Sequence, residues 1–347
     1  MSYEKIKICH FEASLGLGSG EYFVDLANAQ AEKEEYFSEI IIVSPYNAKY
    51  LKRISSKVRH ISFFSKGSRN NPFLLWELYT IFKDEMPDIV HTHFNKATKI
   101  YSRFNKFLKS NWVATKHNPR PTTAYKRAPH VIAVSKEVSN SLENKNITII
   151  YNGIRIEKLP SSIPVKSPQI IKILAVGRLE KIKGFDRLIK ALSKINNQLK
   201  WTLSIAGEGS ERNTLWKLSK ACGCQDKVML LGHRRDVPSL MHEHDLVVIS
   251  SLSEGFSLVI LEAILFAPLL ASTPVGIATE VLPDSLILPH HDFSLNLEEI
   301  IQNYTTMCDQ LKLNRKAIID RFSMRNAVDK HIHLYKSMIR STDLVIK

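Results

Sequence analysis

The stretch DLVVISSLSEGFSLVILEA, from Asp245 to Ala263, decides the fold class of this chain. It begins with an apolar run typical of a buried strand, turns at Gly-Phe-Ser, and continues into an apolar segment with the length of a helix. Glu254 lies in the turn and Glu262 lies inside the apolar segment. Because a buried carboxylate without a partner is costly, we expect each glutamate to have one, either in the protein or in a ligand.

The same strand, turn and helix pattern recurs along the whole chain. In the first half, short runs rich in Val and Ile alternate with helical patterns such as GEYFVDLANAQAEKE and NPFLLWELYTIFKDEM. Apolar strands that alternate with helices indicate a parallel sheet covered on both faces. The pattern stops in a segment rich in Pro and Ser and then restarts. We therefore expect an α/β fold with two doubly wound, Rossmann-like domains.

The breaks in this pattern predict the domain boundaries. The N-terminal domain should comprise residues 1–154, the linker residues 155–169, and the C-terminal domain residues 170–324. An amphipathic pattern predicts a closing helix over about 325–347. Four apolar residues share one face of that helix: Val328, Ile332, Tyr335 and Ile339. Since doubly wound sheets bind ligands beyond the carboxyl ends of their strands, we expect the site in the cleft between the domains.

The composition is that of a globular protein and excludes several other classes. Of 347 residues, 44% are hydrophobic and 24% charged, which argues against a disordered chain. The four cysteines lack the spacing of a zinc site or a disulfide framework. No run approaches the ~20 apolar residues of a membrane span, and the first residues do not resemble a signal peptide. These features predict a cytoplasmic protein.

The formal net charge of +14 is unevenly distributed. No Asp or Glu occurs from Ile89 to Lys136, and the basic segment 96–127 lies within that stretch. Its first part, KATKIYSRFNKFLKSNW, predicts a basic helix with an apolar stripe: Tyr101, Phe104, Phe107, Leu108 and Trp112. The helix either lies on an anionic membrane surface or packs its aromatic side chains into the core. No nucleic-acid-binding module is recognisable, so we expect no nucleic-acid partner.

Two loops have features of phosphate sites. In AVGRLEKIKG, Arg178 follows a strand and Lys183 precedes a helix start, an arrangement suited to a diphosphate or, alternatively, two solvated cations. In ASLGLGSGEYF, Gly16 and Gly18 follow the first strand. Their spacing differs from the dinucleotide fingerprint, and a tight turn explains them equally well.

The two glutamates of the opening stretch fit a nucleotide sugar. Glu262 could accept hydrogen bonds from the two hydroxyls of a ribose, and Glu254 could reach a sugar hydroxyl. The backbone N–H groups of the turn would point to the same place: Gly255, Phe256 and Ser257. The alternative is structural, with Glu262 paired to Arg178 or Lys183 in a buried network.

These residues together carry a resemblance to a known family. AVGRLEKIKGFDRLIKAL, LSIAGEGSER and the opening stretch resemble the second domain of family 4 glycosyltransferases, which are retaining enzymes of the GT-B fold. PDIVHTH, ATKHNPR, VIAVSKEV and YNGI are similar to their first domain, so the resemblance covers nearly the whole chain. It implies two Rossmann-like domains that face a central cleft, with the C-terminal helix crossing back to the first domain.

The resemblance also implies residue roles in the second domain. Arg178 and Lys183 would hold the donor diphosphate, and Glu262 would bind the ribose. Glu254 would contact the transferred sugar, together with three backbone groups: Gly255, Phe256 and Ser257. The base would meet the backbone at Gly232 and His233.

In the first domain, the resemblance assigns Gly16 and Gly18 to close approach of the donor diphosphate and acceptor. It places His117 beside the donor sugar. Without the resemblance, His117 would be an ordinary histidine at a strand end. The residues implied to be catalytic are Glu254, His117, Arg178 and Lys183.

The implied reaction is transfer of a hexose-type sugar, with retention, from a nucleotide-diphosphate sugar. A UDP-sugar is favoured, and the acceptor would be a lipopolysaccharide core, O-antigen, capsule or lipid-linked oligosaccharide. No Asp-x-Asp motif is present, so we expect neither a metal nor a cofactor. The expected partners are the donor, the glycan acceptor and the inner face of the cytoplasmic membrane, contacted by segment 96–127. Two alternatives are a nucleotide-sugar epimerase and a non-catalytic scaffold that binds membrane or nucleic acid.

Overall fold

The computed structural model describes residues 5–15, 22–65, 68–108, 110–155, 163 and 168–345. The predicted positions Gly16 and Gly18 lie outside these residues, as does most of the predicted linker. The chain divides into two compact units. Unit 1 is Met1–Gly153 with Phe322–Lys347, and unit 2 is Ile154–Arg321.

Unit 1 is built on a parallel sheet of seven strands. In chain order they are β1 (Ile6–Phe11), β2 (Phe37–Pro45), β3 (Arg59–Phe63), β4 (Ile89–His93), β5 (Asn111–Lys116), β6 (His130–Ala133) and β7 (Ile147–Ile149). The order across the sheet is β3-β2-β1-β4-β5-β6-β7. The strand order reverses between β1 and β4, which makes their carboxyl ends the place where a doubly wound sheet binds ligands.

Helices cover both faces of this sheet. The first four are α1 (Tyr22–Ala31), α2 (Pro72–Glu85), α3 (Phe94–Leu108) and α4 (Lys136–Asn140). Local chemistry sets the bounds of α2: the Asn71 side chain accepts a hydrogen bond from the Phe73 amide, and Pro72 occupies the first turn. The helix ends at Met86, whose φ of 42° is left-handed.

The basic segment of unit 1 divides into a helix and a strand. Helix α3 ends at Leu108 and β5 begins at Asn111, so the predicted basic helix is shorter than its sequence pattern indicated. Three of its aromatic residues are buried in the core: Tyr101, Phe104 and Trp112. Phe107, in contrast, is 66% exposed. Core packing is therefore the correct alternative for most of the aromatic stripe.

Unit 2 is built on a smaller parallel sheet. Its strands are β8 (Ile171–Val176), β9 (Trp201–Ala206), β10 (Val228–Gly232), β11 (Leu246–Ile249) and β12 (Leu269–Ser272), in the order β10-β9-β8-β11-β12. Its helices are α5 (Phe185–Leu192), α6 (Arg212–Ala221), α7 (Val237–Glu243), α8 (Leu258–Phe266), α9 (Ala278–Val281), α10 (Ser294–Gln302) and α11 (Tyr304–Arg321). The strand order reverses between β8 and β11, so these two strand ends bound the expected site.

The last helix, α12 (Met324–Val345), belongs to unit 1. Three of the four residues predicted to share one face are buried in a core cluster of that unit: Val328, Ile332 and Tyr335. The fourth, Ile339, packs against the same cluster and is partly buried. No helix in the described part of the chain is long and apolar enough to cross a membrane.

Candidate functional site

Two loops of unit 2 meet at the point where its strand order reverses. One follows β8 and contains a 3-10 turn at Lys181–Lys183, and the other follows β11. The Leu252 amide donates to the Ile182 carbonyl oxygen at 2.8 Å, and the Ser250 hydroxyl donates to the Lys183 carbonyl oxygen at 2.9 Å. These two bonds fasten the loops to each other, so their side chains are held at one place.

Gly184 allows the two loops to approach this closely. Its φ is 64°, a left-handed value that favours glycine. A Cβ atom at this position would lie 2.1 Å from the Ser250 carbonyl oxygen, which is a severe overlap with backbone. The packing of the two loops therefore requires the second glycine of the sequence AVGRLEKIKG, Gly184.

The joined loops bring Lys183 and Glu254 into an ion pair. The Lys183 Nζ and a Glu254 carboxylate oxygen are 2.6 Å apart, and the Ser251 hydroxyl donates to that same oxygen at 2.7 Å. The two side chains are only 17% and 14% exposed. The contact brings together two of the four residues predicted to be catalytic, and solvent screens it weakly.

Arg178 and Glu262 do not join this pair. Arg178 is 61% exposed and forms an ion pair with Glu180, two residues along the chain. Glu262 is half-buried, and burial raises the pKa of its carboxyl group. Among the described residues, no hydrogen bond or ion pair reaches the Glu262 carboxylate. The alternative of a buried network between Glu262 and Arg178 or Lys183 is therefore not realised.

The turn before α8 has an unusual backbone conformation. Ser257, which precedes the helix, has φ 64° and ψ 87°, and its side chain makes no capping hydrogen bond to the helix. A left-handed φ at a residue other than glycine costs energy, and such residues concentrate at functional sites. Gly276, a residue the sequence analysis did not select, lies against this turn: a Cβ there would be 2.7 Å from the Phe256 carbonyl oxygen.

Gly232 and His233 lie at the edge of the unit 2 sheet that β10 forms. Gly232 ends β10, two strands away from β8, and its carbonyl oxygen accepts from the Gly207 amide at 2.8 Å. His233 is exposed. The structure thus places these residues at a strand end, but away from the contact between Lys183 and Glu254.

Unit 1 has buried polar atoms without partners at three neighbouring strand ends. Within the described residues, no hydrogen-bond partner exists for one carboxyl oxygen of Glu12, the Asn95 side-chain oxygen or the His117 Nδ1. Glu12 follows β1, Asn95 follows β4, and His117 follows β5. Because nearly all buried polar groups in folded proteins are hydrogen-bonded, such a group of unpaired atoms indicates a ligand site.

Sequence analysis identified His117 but not Glu12 or Asn95. The Ser14 amide donates to the other Glu12 oxygen at 2.8 Å, yet burial raises the pKa of this carboxyl to about 8. The sequence carried a signal for Glu12, since a carboxylate directly follows an apolar strand in IKICHFE. For Asn95 we find no comparable signal.

A strained phenylalanine holds the ring of His117. Phe94 has φ 62°, and its ring stacks on His117 with 4.1 Å between ring centroids. His117 is 6% exposed, and burial lowers its pKa to about 3. The imidazole is therefore neutral near pH 7 and is held in place by packing.

Comparison with known protein families agrees with the predicted resemblance. Residues 18–158 match the model of Glycosyltransferase Family 4, and residues 160–316 match that of Glycosyl transferases group 1. The chain belongs to the family 4 type of glycosyltransferases. The prediction of the family is therefore confirmed.

Relatives of this glycosyltransferase span most of its length. The lipopolysaccharide core biosynthesis glycosyltransferase LpsE of Rhizobium meliloti is 23% identical over 270 residues, which is 74% of this chain and 76% of LpsE. The crystal structure of HepE from Anabaena with UDP-glucose has a TM-score of 0.79 at 20% identity and covers 96% of this chain and 100% of HepE. The lipopolysaccharide outer core galactosyltransferase WaaB has a TM-score of 0.77 at 17% identity, with 97% and 100% covered. These likenesses confirm the predicted GT-B fold.

Proposed function

We propose that this glycosyltransferase moves a hexose-type sugar, with retention, from a UDP-sugar to a growing bacterial envelope glycan, without a metal ion. The observation that carries the proposal is the contact between Lys183 and Glu254 at the reversal of strand order in unit 2. Glu262, half-buried and without a partner in the described structure, lies in the helix that follows. The Lys183 cation fits a diphosphate, and the Glu254 carboxylate fits a hydroxyl of the transferred sugar. The unpaired Glu262 carboxylate fits the hydroxyls of a ribose.

Lys183 can serve the donor without releasing Glu254. A lysine ammonium has three N–H donors, and the ion pair uses one of them. A diphosphate oxygen can take a second while Glu254 keeps its place and accepts from a sugar hydroxyl. The exposed guanidinium of Arg178 is paired only with its near neighbour Glu180, so it can turn to the phosphate and bind two oxygens at once.

The same groups would stabilise the transition state. When the bond from the sugar to the diphosphate breaks, negative charge accumulates on the leaving phosphate oxygen, next to the two cations. Fixed charges in a partly desolvated site stabilise such charge more strongly than water does. The acceptor hydroxyl would attack from the side of the leaving group and transfer its proton to a diphosphate oxygen. This course retains the anomeric configuration and needs no covalent intermediate.

In unit 1, we propose that the unpaired atoms at the strand ends bind sugar hydroxyls. Asn95 presents an acceptor, the His117 Nδ1 donates or accepts according to the tautomer of the ring, and Glu12 carries a proton near neutral pH because of its raised pKa. Hydroxyl groups both donate and accept hydrogen bonds, so they suit this mixed set. His117 would face the donor sugar.

Nucleotide binding tests the donor site directly. We expect UDP to raise the melting temperature of the wild type in a buffer without divalent metal, and GDP, ADP and CMP to do so less. A ligand at 100 times its dissociation constant stabilises by ~2.7 kcal/mol, which is readily measured. Glu262→Gln should lose most of this shift, whereas Glu243→Gln, at an exposed position of α7, should keep it. No shift with any nucleotide in folded protein would contradict the proposal.

The envelope-glycan acceptor is supported by the relatives. LpsE and WaaB are both named for lipopolysaccharide core synthesis. We propose that the acceptor lies at the inner face of the cytoplasmic membrane, and that this protein binds there as a peripheral enzyme. The basic segment 96–127, free of acidic residues, would face the anionic lipid.

Exposed aromatic residues of α2 extend this surface. Phe73 and Trp76, one helical turn apart, are 75% and 70% exposed, and Phe64 is 64% exposed. The Arg103 guanidinium of α3 donates to the Arg69 carbonyl oxygen at 2.6 Å, so the basic helix adjoins the loop before α2. Aromatic side chains beside basic ones are typical of surfaces that insert into the lipid interface.

Co-sedimentation with vesicles tests the membrane surface. We expect binding to vesicles with anionic lipid and none to neutral vesicles. Trp76→Ser should weaken the binding, whereas Trp216→Ser should not, because Trp216 lies in unit 2 and is likewise exposed, at 43%. Equal binding of all three proteins to anionic vesicles would remove this surface from the proposal.

A further inference from the structure

A row of buried histidines in the sheet of unit 1 leads to His117. His10 lies in β1, His91 and His93 lie in β4, and all three have no exposed surface. Their rings stack, with 4.1 Å between the centroids of His91 and His93. Burying several titratable rings in one core is costly unless each is hydrogen-bonded. These rings therefore need an explanation that hydrophobic packing does not give.

Hydrogen bonds connect the row into one chain that ends at His117. The Gln30 side-chain oxygen, from α1, lies 2.7 Å from the His10 Nε2. The His10 Nδ1 lies 3.0 Å from the His93 Nε2, and the His93 Nδ1 lies 3.4 Å from the His117 Nε2. The chain thus links the helix α1 to the end of β5 through two strands.

The acceptor at the start of the chain sets the direction of every bond. An amide oxygen only accepts, so His10 must carry its proton on Nε2, and its Nδ1 is an acceptor. His93 then donates from Nε2 and accepts at Nδ1. His117 in turn donates from Nε2, and this leaves the lone pair of its Nδ1 directed away from the chain. That Nδ1 is one of the buried atoms with no partner in the described structure.

A branch at Gln30 is consistent with this orientation of its amide. The Gln30 amide nitrogen donates to the Tyr335 hydroxyl at 3.4 Å, and that hydroxyl lies 2.7 Å from the His91 Nδ1. His91 then donates from Nε2 to the Thr115 hydroxyl at 2.5 Å. Turning the Gln30 amide over would reverse every bond of the chain and of the branch, so the tautomer of His117 reports which orientation the amide has.

The same histidines have the spacing of a metal site. One nitrogen from each of His10, His91 and His93 lies within 4.8 Å of the others. However, both ring nitrogens of His10 and of His91 are already hydrogen-bonded to protein groups, and the His10 and His93 nitrogens touch directly. A metal would have to break these bonds, so the observed geometry favours a hydrogen-bonded row.

We propose that Gln30, His10 and His93 are positioning residues that hold His117 as the Nε2–H tautomer and so present its Nδ1 as a hydrogen-bond acceptor to a hydroxyl of the donor sugar. The contact to the sugar rests on the proposed function, while the tautomer does not. Phe94, stacked on the His117 ring, fixes the plane in which the Nδ1 points. The row thereby selects a ligand group that can donate a hydrogen bond to the His117 Nδ1.

Long-range 15N–1H NMR of histidine-labelled protein tests the tautomer without any ligand. Signals of the 13 histidines are assigned by loss in single substitutions, including His117→Gln. We expect His10, His93 and His117 to be neutral Nε2–H tautomers at pH 7. His331 should be the Nδ1–H tautomer, because its Nδ1 lies 2.8 Å from the Ala327 carbonyl oxygen. A His117 that carries its proton on Nδ1 would overturn the proposal.

Two substitutions of His93 separate positioning from simple packing. In His93→Asn, the amide oxygen can replace the Nδ1 that accepts from His117, whereas His93→Leu has no acceptor. We expect His117 to remain a single tautomer in the first variant and to become a mixture in the second. His130→Leu is the control, since His130 is half-buried in the same unit and, among the described residues, its side chain bonds Thr148 alone, at 2.8 Å. If His93→Leu does not fold, Gln30→Leu, which removes the terminal acceptor, takes its place.

Calorimetric binding of UDP and UDP-glucose connects the row to the sugar. One lost hydrogen bond corresponds to roughly two- to tenfold weaker binding. His93→Leu should show this loss for UDP-glucose but not for UDP, and His93→Asn should largely restore it. Equal weakening of both ligands would mean a structural role only and would overturn the contact. If the wild type binds neither, the proposed donor fails, while the NMR spectra still decide the tautomer.

Stoichiometric zinc bound by wild type but not His93→Leu would replace the row with a metal site.

Discussion

Lowering the pH from 7 to about 5.5 should destabilise unit 1 more than unit 2. Five histidines are almost fully buried in unit 1: His10, His91, His93, His117 and His331. Burial lowers the pKa of each, to about 4 for His10 and His331 and to about 3 for His117. In the unfolded chain the same histidines have a pKa near 6.5.

The direction of this change in folding stability follows from which state, folded or unfolded, binds more protons. Between pH 6.5 and about 4, the unfolded chain takes up protons on these histidines and the folded unit does not, so stability is lost as the pH falls. From pH 7 to about 5.5 the loss is about 1 kcal/mol for each histidine, or about 5 to 6 kcal/mol together. Glu12 opposes this: its pKa is about 8 in the folded unit, so protonation there stabilises the fold. Its contribution over the same interval is about 2 kcal/mol, which leaves a net loss of about 3 to 4 kcal/mol.

Hydrogen exchange read by mass spectrometry measures the two units separately. The net loss is a large part of the 5–15 kcal/mol that typically stabilises a folded domain. After correction for the pH dependence of the chemical exchange rate, peptides from β4 and α12 should exchange through global opening at about pH 5.5. Peptides from β8 and β11 should keep more of their protection, because the unit 2 histidines whose pKa burial lowers, His244 and His290, are only half-buried or exposed. Unchanged protection of β4 at about pH 5.5 would show that the histidines are not buried as neutral rings, and would refute the reasoning.

Two further predictions concern the loops of unit 2. Lys183→Met should cost about 2 kcal/mol by urea unfolding, because Glu254 stays half-buried without its cation, and adding Glu254→Leu should recover most of the loss. If the double variant is as unstable as the sum of the single ones, the pair does not interact. Gly276→Ala should destabilise the unit and weaken UDP binding, since the new Cβ would lie 2.7 Å from the Phe256 carbonyl oxygen. Gly223→Ala has a similar φ, 65°, with nothing within 4 Å, so it should cost only about 1 kcal/mol and preserve UDP binding; equal effects on UDP binding would contradict this role of Gly276.

The sequence identified the part of the site that depends on local order along the chain. A strand, a turn and a helix start occur within a few residues, so the positions of Lys183 and Glu254 relative to their strands follow from the pattern alone. The pairing of the glutamates with the cations did not follow from the sequence pattern. Either glutamate could have paired with either cation, and the packing of the two loops decided that Lys183 takes Glu254.

The polar groups of unit 1 were less accessible to prediction. Glu12, Asn95 and His117 lie far apart in sequence and follow three strands that are neighbours only in the sheet order. Whether a histidine within an apolar strand is bonded, unpaired or exposed depends on residues from other elements, such as Gln30 of α1 and Tyr335 of α12. Sequence periodicity reports the face on which a residue lies and not the partner that it meets there.

The sequence by itself determined the alternation of strands and helices, the α/β class and the family, because these depend on residue spacing and on motifs that are contiguous in the chain. The tertiary structure alone decided that the aromatic stripe of α3 is mostly core, with Tyr101 fully buried and Phe107 exposed. It also decided that Glu262 has no partner among the described residues and that the histidines form one hydrogen-bonded row. These outcomes depend on distances of a few ångströms between atoms from separate elements, and such distances are set by packing, which the order of residues along the chain does not record.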